Sequence, residues 1–183
     1  MAGISVQKIT TTTKTAVKID SDTFTSMLFS NADGSSSATV TIWVVAQSGA
    51  VQRAATGVYV NTSYVGSTPG TSTAVTVDNG SGSASAASDD LFLYERVYGS
   101  DGAFYGICTA VASTTSLTFG GGLVKSLADN TLLYVGSRFH LLTNSVIPAG
   151  TALSIGYDDF RFDNNNYDLY IKSNQEIDII ISS

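Results

Sequence analysis

The richest concentration of side-chain oxygens in this chain lies in the segment YDDFRFDNNNYD, residues 157–168. Two kinds of chemistry use such groups: calcium binding, which takes Asp and Asn oxygens, and acid–base catalysis by a pair of carboxylates. A third interpretation is a polar turn, because the alternating stretch YDLYIKS follows at 167–173. The oxygen donors are Asp158, Asp159, Asp163, Asn164, Asn165, Asn166 and Asp168.

The spacing of these residues argues against a calcium loop of the EF-hand type. In a loop that starts at Asp163, position 5 is Tyr167, position 6 is Asp168 and position 12 is Asn174. An EF-hand loop requires an oxygen ligand at position 5, Gly at position 6 and Glu at position 12, so this segment differs from it at three positions. A looser calcium site in a β turn stays open, but we expect a turn whose Asp and Asn side chains bond the local backbone.

The other residues that could do chemistry stand alone. A glycosidase pair could draw on the acidic residues of 158–168 and on Glu176, but no two of them form a recognisable motif. His140 is the one histidine and Cys108 the one cysteine, and no G-x-S-x-G elbow accompanies them. Trp43 lies in a well-patterned strand, and the segment GGGLVKS at 120–126 lacks the Gly that precedes Lys in a phosphate loop. We therefore expect no catalytic, cofactor-binding or metal-ligating residues and a protein that is not an enzyme.

Charge and composition exclude further classes. The 183 residues carry a net charge of −6, and the basic residues are scattered, which argues against binding to nucleic acid or to a membrane surface. Charged residues make up 13% of the chain, against about 25% in a typical soluble protein. Such a low charge density fits a surface that other subunits cover. The start, MAGISVQKIT, has no apolar signal region, so we expect synthesis and use in a cytoplasm.

Strand patterns dominate the chain, and short strands separated by turn signals predict an all-β sandwich or barrel. The segment ATVTIWVVA, 38–46, points Val40, Ile42 and Val44 to one face. The only helix expected is LVKSLADN at 123–130. A Pro-Gly turn followed by a strand is predicted over 147–155, and a hairpin over 91–111 that turns at 99–102. The other predicted strands are 4–9, 14–19, 23–30, 38–46, 57–60, 73–77, 116–119, 131–135, 139–146, 167–173 and 176–182.

The middle of the chain differs in composition from the two ends. The segments GSTPG and DNGSGSASAASDD are rich in Gly and Ser and interrupt short strands. We therefore predict a discontinuous domain, residues 1–49 and 137–183, that forms a jelly-roll-like antiparallel β-sandwich. Residues 50–136 are predicted to form a small β-barrel-like insertion, whose two ends lie close together.

The two ends of the chain resemble the small β-sandwich virion proteins of tailed bacteriophages. The resemblance rests on TSMLFSNADGSSSATVTIWVV, then FHLLTNSVIPAGTALSI, and finally YDLYIKSNQEIDIIISS. In that family a strand ending in Asn and a polar turn precede TVTIxL, an IPAG turn follows, and two strands close the domain. The insertion, YERVYGSDGAFYGICTAVASTTSLTFGGG with LADNTLLYVG, resembles small β modules found in phage structural proteins. Where the family has Gly-Asp before the penultimate strand, this chain has Tyr167-Asp168.

The resemblance implies a virion structural role and brings no catalytic residues with it. The first expectation is a capsid decoration or cement protein that is assembled in the host cytoplasm, with the major capsid protein or neck and tail proteins as partners. A homo-oligomer is expected, and a trimer would suit the threefold points of a capsid. Alternatives are a neck, collar or baseplate component, or a glycan-binding module on a fibre that uses Tyr157, Phe160 and Tyr167. The terminal strand EIDIIISS, 176–183, is a candidate for pairing with a neighbour.

Overall fold

A computed structural model describes residues 4–9, 15–17, 26–47, 52–64, 66, 71–156, 163 and 165–182. Strands make up 58% of the structure and helix 3%, so the predicted all-β class is confirmed. The chain divides into two compact units, Met1–Gln47 with Arg138–Ser183 and Ser48–Ser137. The predicted boundaries, 49/50 and 136/137, lie within two residues of these.

The first unit contains four strands before the insertion and four after it. The strands are β1 Ile4–Ile9, β2 Thr15–Val17, β3 Ser26–Ser30, β4 Ala38–Ala46, β11 Arg138–Ile147, β12 Ala152–Gly156, β13 Tyr167–Ser173 and β14 Ile177–Ser182. The second unit contains β5 Gln52–Val60, β6 Thr73–Asp78, α1 Asp89–Phe92, β7 Arg96–Tyr98, β8 Phe104–Ser113, β9 Ser116–Phe119 and β10 Leu132–Gly136.

The eight strands of the first unit form a jelly roll. One sheet has the order β1-β14-β3-β12 and the other β11-β4-β13-β2, with antiparallel neighbours throughout. The first strand therefore pairs with the last, the second with the seventh, the third with the sixth and the fourth with the fifth. This nested pairing over two sheets is the jelly-roll arrangement, as predicted.

The core of the sandwich lies between the inward faces of the two sheets, because each strand alternates its side chains. On β4 the inward residues are Val40, Ile42 and Val44, as the alternation predicts. The remaining buried residues of this core are Ile9, Val17, Met27, Phe29, Ala38, Ile147, Ile155, Leu169, Ile171, Ile177, Ile179 and Ile181.

Trp43 is also buried, with 1% of its surface exposed, but it points to the opposite face of its sheet. There it forms a small cluster with Val45 and Tyr170, and the Tyr170 ring stacks on it at 6.0 Å between ring centroids. The Arg138 guanidinium carbon lies 4.7 Å from the centroid of the Trp43 ring. Trp43 therefore packs as the sequence indicates, although outside the main core.

The second unit is a closed six-stranded barrel with the order β10-β5-β6-β9-β8-β7, and β10 closes it by pairing with both β5 and β7. Its interior is filled by aliphatic and aromatic side chains, among them Val75, Leu117 and Phe119. A close approach inside the barrel requires Gly106: its φ is 152°, and a Cβ there would lie 2.9 Å from Cδ1 of Phe119.

The predicted helix at 123–130 is wrong. Leu123 and Leu127 are buried in the barrel core, and Leu127 bridges to Tyr64 through two backbone hydrogen bonds of 2.8 Å. Tertiary pairing at Leu127 holds this segment as an irregular connection with bends and a turn. The one helix in the described residues is the single turn α1, which follows the N-cap residue Ser88.

The prediction that the terminal strand is free to pair with a neighbour is also wrong. β14 lies between β1 and β3 and is antiparallel to both, so both of its main-chain edges are filled. The strands at the two edges of this sheet are β1 and β12.

Candidate functional site

The polar segment that precedes β13 forms a hydrogen-bonded turn centred on Asp163. One carboxylate oxygen of Asp163 accepts the N–H of Asn165 at 2.9 Å, and the other accepts the Asn166 side-chain amide. The Asp163 carbonyl accepts the N–H groups of Asn166 at 3.2 Å and Tyr167 at 3.0 Å. The backbone N–H of Asn165, followed by the Asn166 side chain, holds the pKa of Asp163 below its usual value.

The same turn is joined to the end of β4. The backbone N–H of Gln47 donates to the Asn166 carbonyl at 2.8 Å, and the Gln47 side-chain amide donates to a carboxylate oxygen of Asp168 at 2.9 Å. Asp163 thus bonds the local backbone, as the polar-turn interpretation expects, whereas Asp168 bonds a side chain at the distant end of β4. Tyr157, Asp158, Asp159, Phe160 and Asn164 lie outside the described residues, so a looser calcium site stays a hypothesis.

A second set of hydrogen bonds, which the sequence reasoning missed, is centred on Asn31 at the end of β3. Asn31 is fully buried, with 0% exposure. Its side-chain amide donates to the carbonyls of Ser36 at 2.9 Å and Ile147 at 3.1 Å, and its side-chain oxygen accepts the N–H of Asp33 at 3.2 Å. Its backbone N–H donates to the Thr151 carbonyl at 3.0 Å.

Asn31 therefore joins the polar loop 31–37 to the IPAG turn at 147–150. A further bond links the same two segments, because the Gly150 N–H donates to the Asp33 carbonyl at 3.0 Å. Both segments belong to the pattern that resembles phage virion proteins, and they lie more than a hundred residues apart in the sequence. No local pattern signals this contact, because Asn31 stands among Ser, Ala and Asp and resembles an ordinary turn residue.

A pocket of about 300 Å³ lies beside this loop. It is lined by residues 32–33 of the loop on one side and by residues 175–178, at the turn from β13 to β14, on the other. Its acidic residues are Asp33, Glu176 and Asp178. Asp33 accepts two hydrogen bonds of 2.8 Å from Ser35, chiefly through the backbone N–H, and these hold its pKa low. Glu176 pairs with Lys8 at 2.6 Å. Among the described residues no group of three or more His, Cys, Asp or Glu could hold a metal ion.

The isolated candidates for catalysis are not brought into a recognisable site. His140 is exposed on β11, and its ring lies 6.1 Å from that of Trp43. Cys108 is buried on β8 in the barrel unit, where its thiol donates to the Ala110 carbonyl at 3.3 Å. Lys125 and Ser126 lie in an irregular segment with no helix after it, and the Ser126 hydroxyl accepts the Gly66 N–H at 3.0 Å.

Two buried carboxylates lie in the barrel unit, and the sequence pattern did not single them out. Glu95 is fully buried next to β7. Asp78 accepts the N–H groups of Gly80 at 2.7 Å and Gly82 at 3.1 Å, so it holds the glycine-rich loop that follows β6.

The surface of the sandwich contains an aromatic pair beside the polar turn. Phe139 on β11 is 53% exposed and meets Tyr167 edge to face, with 6.4 Å between ring centroids. Of the described segments, none forms a helix able to cross a membrane. Comparisons with protein-family models, with curated proteins and with solved structures found no match to this chain.

Proposed function

We propose that this chain is a non-enzymatic structural protein of a tailed-phage virion, first of all a capsid decoration or cement protein that binds the shell as a homo-oligomer. The proposal is carried by the contact between the two resembling segments. Asn31 and the IPAG turn are parts of one sequence pattern, and Asn31 bonds directly to Ile147 and Thr151. A pattern whose distant parts fit together in three dimensions is stronger support than similar strands alone.

The fold is compatible with this role but is less specific. Jelly rolls build many viral capsid proteins, and also lectin domains and cupins. Because one fold supports unrelated functions, the fold alone carries no functional conclusion.

The loops at the ends of the sandwich suit binding to a rigid particle. Asp33 and Asp163 fix exposed loops through hydrogen bonds to their own backbone. Loops that are ordered before binding lose less conformational entropy on association. The low charge of the chain fits a surface that meets other subunits.

The proposal is tested by quantitative mass spectrometry and antibody labelling of purified particles from a phage that encodes this chain. A decoration protein is expected on the order of hundreds of copies, spread over the shell. About six or twelve copies at one vertex would identify a neck or baseplate component instead. Absence of the chain from purified particles, when it is present in the infected cells, would overturn a structural role.

Cementing is tested separately by deleting the gene. Particles that lack a cement protein are expected to lose their DNA at a lower temperature than intact particles. Adding back the purified full chain should restore the original temperature, and adding the same chain after thermal unfolding serves as the control.

Phe139 and Tyr167 favour one second candidate, a glycan-binding module for host recognition. An exposed aromatic ring beside a polar turn is a surface on which a sugar can stack while turn oxygens accept its hydroxyls. A glycan array read with and without EDTA separates the two ideas. Glycan binding that Phe139→Ala removes would favour this candidate, and calcium-dependent binding would place a metal at the polar turn.

A further inference from the structure

The glycine-rich loop that follows β6 contains the one Asn-Gly pair of the chain, Asn79-Gly80. Such a pair is prone to a spontaneous reaction, because glycine has no side chain to shield its backbone nitrogen from the neighbouring asparagine amide. Asn79 and Gly80 are both exposed, so water and base reach them. The hydrogen bonds of the loop therefore decide how fast the pair reacts.

The reaction needs no co-reactant other than water. A bond forms between the Gly80 nitrogen and Cγ of Asn79, and the bond between Cγ and Nδ2 breaks. The proton of the Gly80 N–H passes through water to Nδ2, which leaves as ammonia, and a five-membered succinimide ring remains. Water then adds to one of the two ring carbonyls and opens the ring to aspartate or isoaspartate. Each product has one more carboxylate than the original chain.

The carboxylate of Asp78 holds the attacking nitrogen. Asp78 is 5% exposed, and one of its oxygens accepts the Gly80 N–H at 2.7 Å. The succinimide has no hydrogen on this nitrogen, so the ring cannot form without the loss of that bond. Hydrogen bonds to charged groups are stronger than bonds between neutral groups. The negative charge of Asp78 also disfavours removal of the Gly80 proton, which the reaction requires.

The other reacting group, the Asn79 side-chain amide, is held as well. Its oxygen accepts the backbone N–H groups of Ser81 at 3.0 Å and Ser83 at 3.2 Å, and the Ser81 hydroxyl at 2.8 Å. The Asn79 backbone N–H donates to the Ser83 carbonyl at 3.0 Å, which closes the loop. These bonds restrict rotation of the Asn79 side chain relative to the Gly80 nitrogen.

Two further contacts fasten the loop to the barrel. The second oxygen of Asp78 accepts the Gly82 N–H at 3.1 Å. Gly80 has a φ of 84°, and a Cβ at that position would lie 3.1 Å from Cδ2 of the Tyr59 ring. The Gly80 backbone therefore lies against a side chain of β5 and cannot move toward it.

We propose that Asn79 is a site of covalent self-modification and that Asp78 sets its rate. While the loop is closed on Asp78, the Asn79-Gly80 pair does not cyclise. Each local opening of the loop releases both reacting groups, in the way that local opening permits amide exchange. Asn79 is therefore converted slowly and irreversibly to aspartate or isoaspartate.

The two products have different effects on the loop. Aspartate keeps the main chain and an oxygen that accepts the N–H groups of Ser81 and Ser83, so the loop can close again. Isoaspartate adds one carbon to the main chain between Asp78 and Gly80, which displaces the N–H groups that Asp78 accepts. Formation of isoaspartate is therefore a step after which the loop stays open.

The first test follows residue 79 by peptide mass spectrometry while the full chain is kept at neutral pH, with chromatography to separate aspartate from isoaspartate. The folded wild type should convert at least about tenfold more slowly than the same chain in concentrated guanidinium chloride. Asp78→Ala should convert at least about fivefold faster than the folded wild type, because it removes both bonds to the carboxylate. Asp78→Asn keeps an acceptor oxygen but no charge, so its rate should fall between the two.

Two controls accompany this test. Cys108 is the one cysteine and is fully buried in the barrel core, so its resistance to thiol reagents verifies that a variant has a folded barrel. If Asp78→Ala unfolds the barrel, the milder Asp78→Asn carries the comparison. Asp101→Ala is the matched variant: Asp101 also accepts the N–H of a residue two positions on, that of Ala103 at 3.0 Å, but in another loop. Its rate of conversion at Asn79 should equal that of the wild type.

The outcomes separate the parts of the proposal. A folded wild type that converts as fast as the unfolded chain, or faster, would overturn the protective role of the loop. Folded Asp78 variants that convert at the wild-type rate would overturn the role of Asp78. A chain that shows no conversion even in guanidinium chloride would overturn the site itself. Asn79→Gln should abolish the conversion under every condition, because its longer side chain does not form the five-membered ring.

Discussion

Replacing Asn31 by Ala is expected to destabilise the sandwich strongly, although Asn31 is a polar residue at the end of a strand. The substitution removes an amide that bonds Ser36, Ile147 and Asp33 while fully buried. The Ile147 carbonyl, which lies in a buried contact, loses this partner. The connection between the loop 31–37 and the IPAG turn would then depend on backbone bonds alone.

The magnitude follows from the number of bonds and their burial. A side-chain hydrogen bond contributes about 1 kcal/mol net, and a buried group left without a partner costs about 1–3 kcal/mol. The three lost bonds therefore give a loss of about 3 kcal/mol in the free energy of unfolding. With a urea dependence of about 1.5 kcal/mol per molar, the unfolding midpoint should fall by roughly 2 M.

The assay is urea unfolding followed by tryptophan fluorescence. The one tryptophan, Trp43, lies on β4, so its signal reports the sandwich rather than the barrel. Asn174→Ala is the matched control in the same unit. The Asn174 side-chain oxygen also accepts a backbone N–H, that of Thr39 at 2.6 Å, but it is exposed to water. We expect that control to lose under about 1 kcal/mol. A midpoint shift for Asn31→Ala below about 0.5 M, or an equal shift for Asn174→Ala, would refute the reasoning.

Four further outcomes are expected. Gly106→Ala should destabilise the barrel by about 1–3 kcal/mol in calorimetry, because the added Cβ would clash with Phe119. The control Gly121→Ala should be close to neutral, because a Cβ at that position would have no atom within 4 Å. Replacing 164–166 together by Ala should cost under about 1 kcal/mol in thermal unfolding, because backbone bonds hold the turn; a large loss would contradict the turn geometry. Millimolar calcium should leave the melting temperature unchanged, and a clear rise would mean that the turn binds the ion. The pKa values of Asp33 and Asp163 are lowered in the folded state, so both carboxylates stabilise the fold at a pH above the unfolded carboxyl pKa, and this stabilisation is lost as the pH falls through the folded pKa values. Urea midpoints measured from pH 6 to pH 2 should show this loss of stability. The loss should be smaller when both residues are replaced by Asn.

The sandwich could be predicted where side chains alternate between core and solvent. The predicted and observed limits of β4 agree, because Val40, Ile42 and Val44 must all face the core. β1 shows where this reasoning stops. Its pattern places Ile4 and Val6 on one face and breaks phase before Ile9, and the structure exposes the first two and buries Ile9. Neighbouring strands and the opposite sheet cover an edge strand less than a central one, so apolar residues on an edge strand do not show which of its faces points into the core.

The barrel shows a different limit. The segment 123–130 was predicted to be a helix, yet Leu123 and Leu127 enter the barrel core from an irregular segment. Tertiary pairing with Tyr64 decided the outcome, and pairing partners distant in sequence are not visible in a local pattern. Conversely, α1 could have been predicted, since Ser88 precedes Asp89 and Asp90, which is a usual start of a helix.

The polar segment was correctly interpreted as a turn at Asp163, because Asp and Asn bond nearby backbone through short local contacts. Asn31 was missed for the opposite reason. Its partner Ile147 lies far along the chain, and a residue among Ser, Ala and Asp looks like any other turn residue. Local polar contacts can be read from sequence, whereas a buried polar contact between distant segments depends on the topology.

The position of the barrel within the chain has a consequence for the order of folding. In the sandwich, Val45 pairs with Arg138 across about 90 intervening residues. Within the barrel, Gln52 pairs with Gly136. A barrel that has already formed shortens the open loop between β4 and β11 to roughly eight residues, which lowers the entropic cost of closing it by about 2 kcal/mol. The barrel should therefore fold first, and its completion should accelerate the slow step in which the distant halves of the jelly roll find each other.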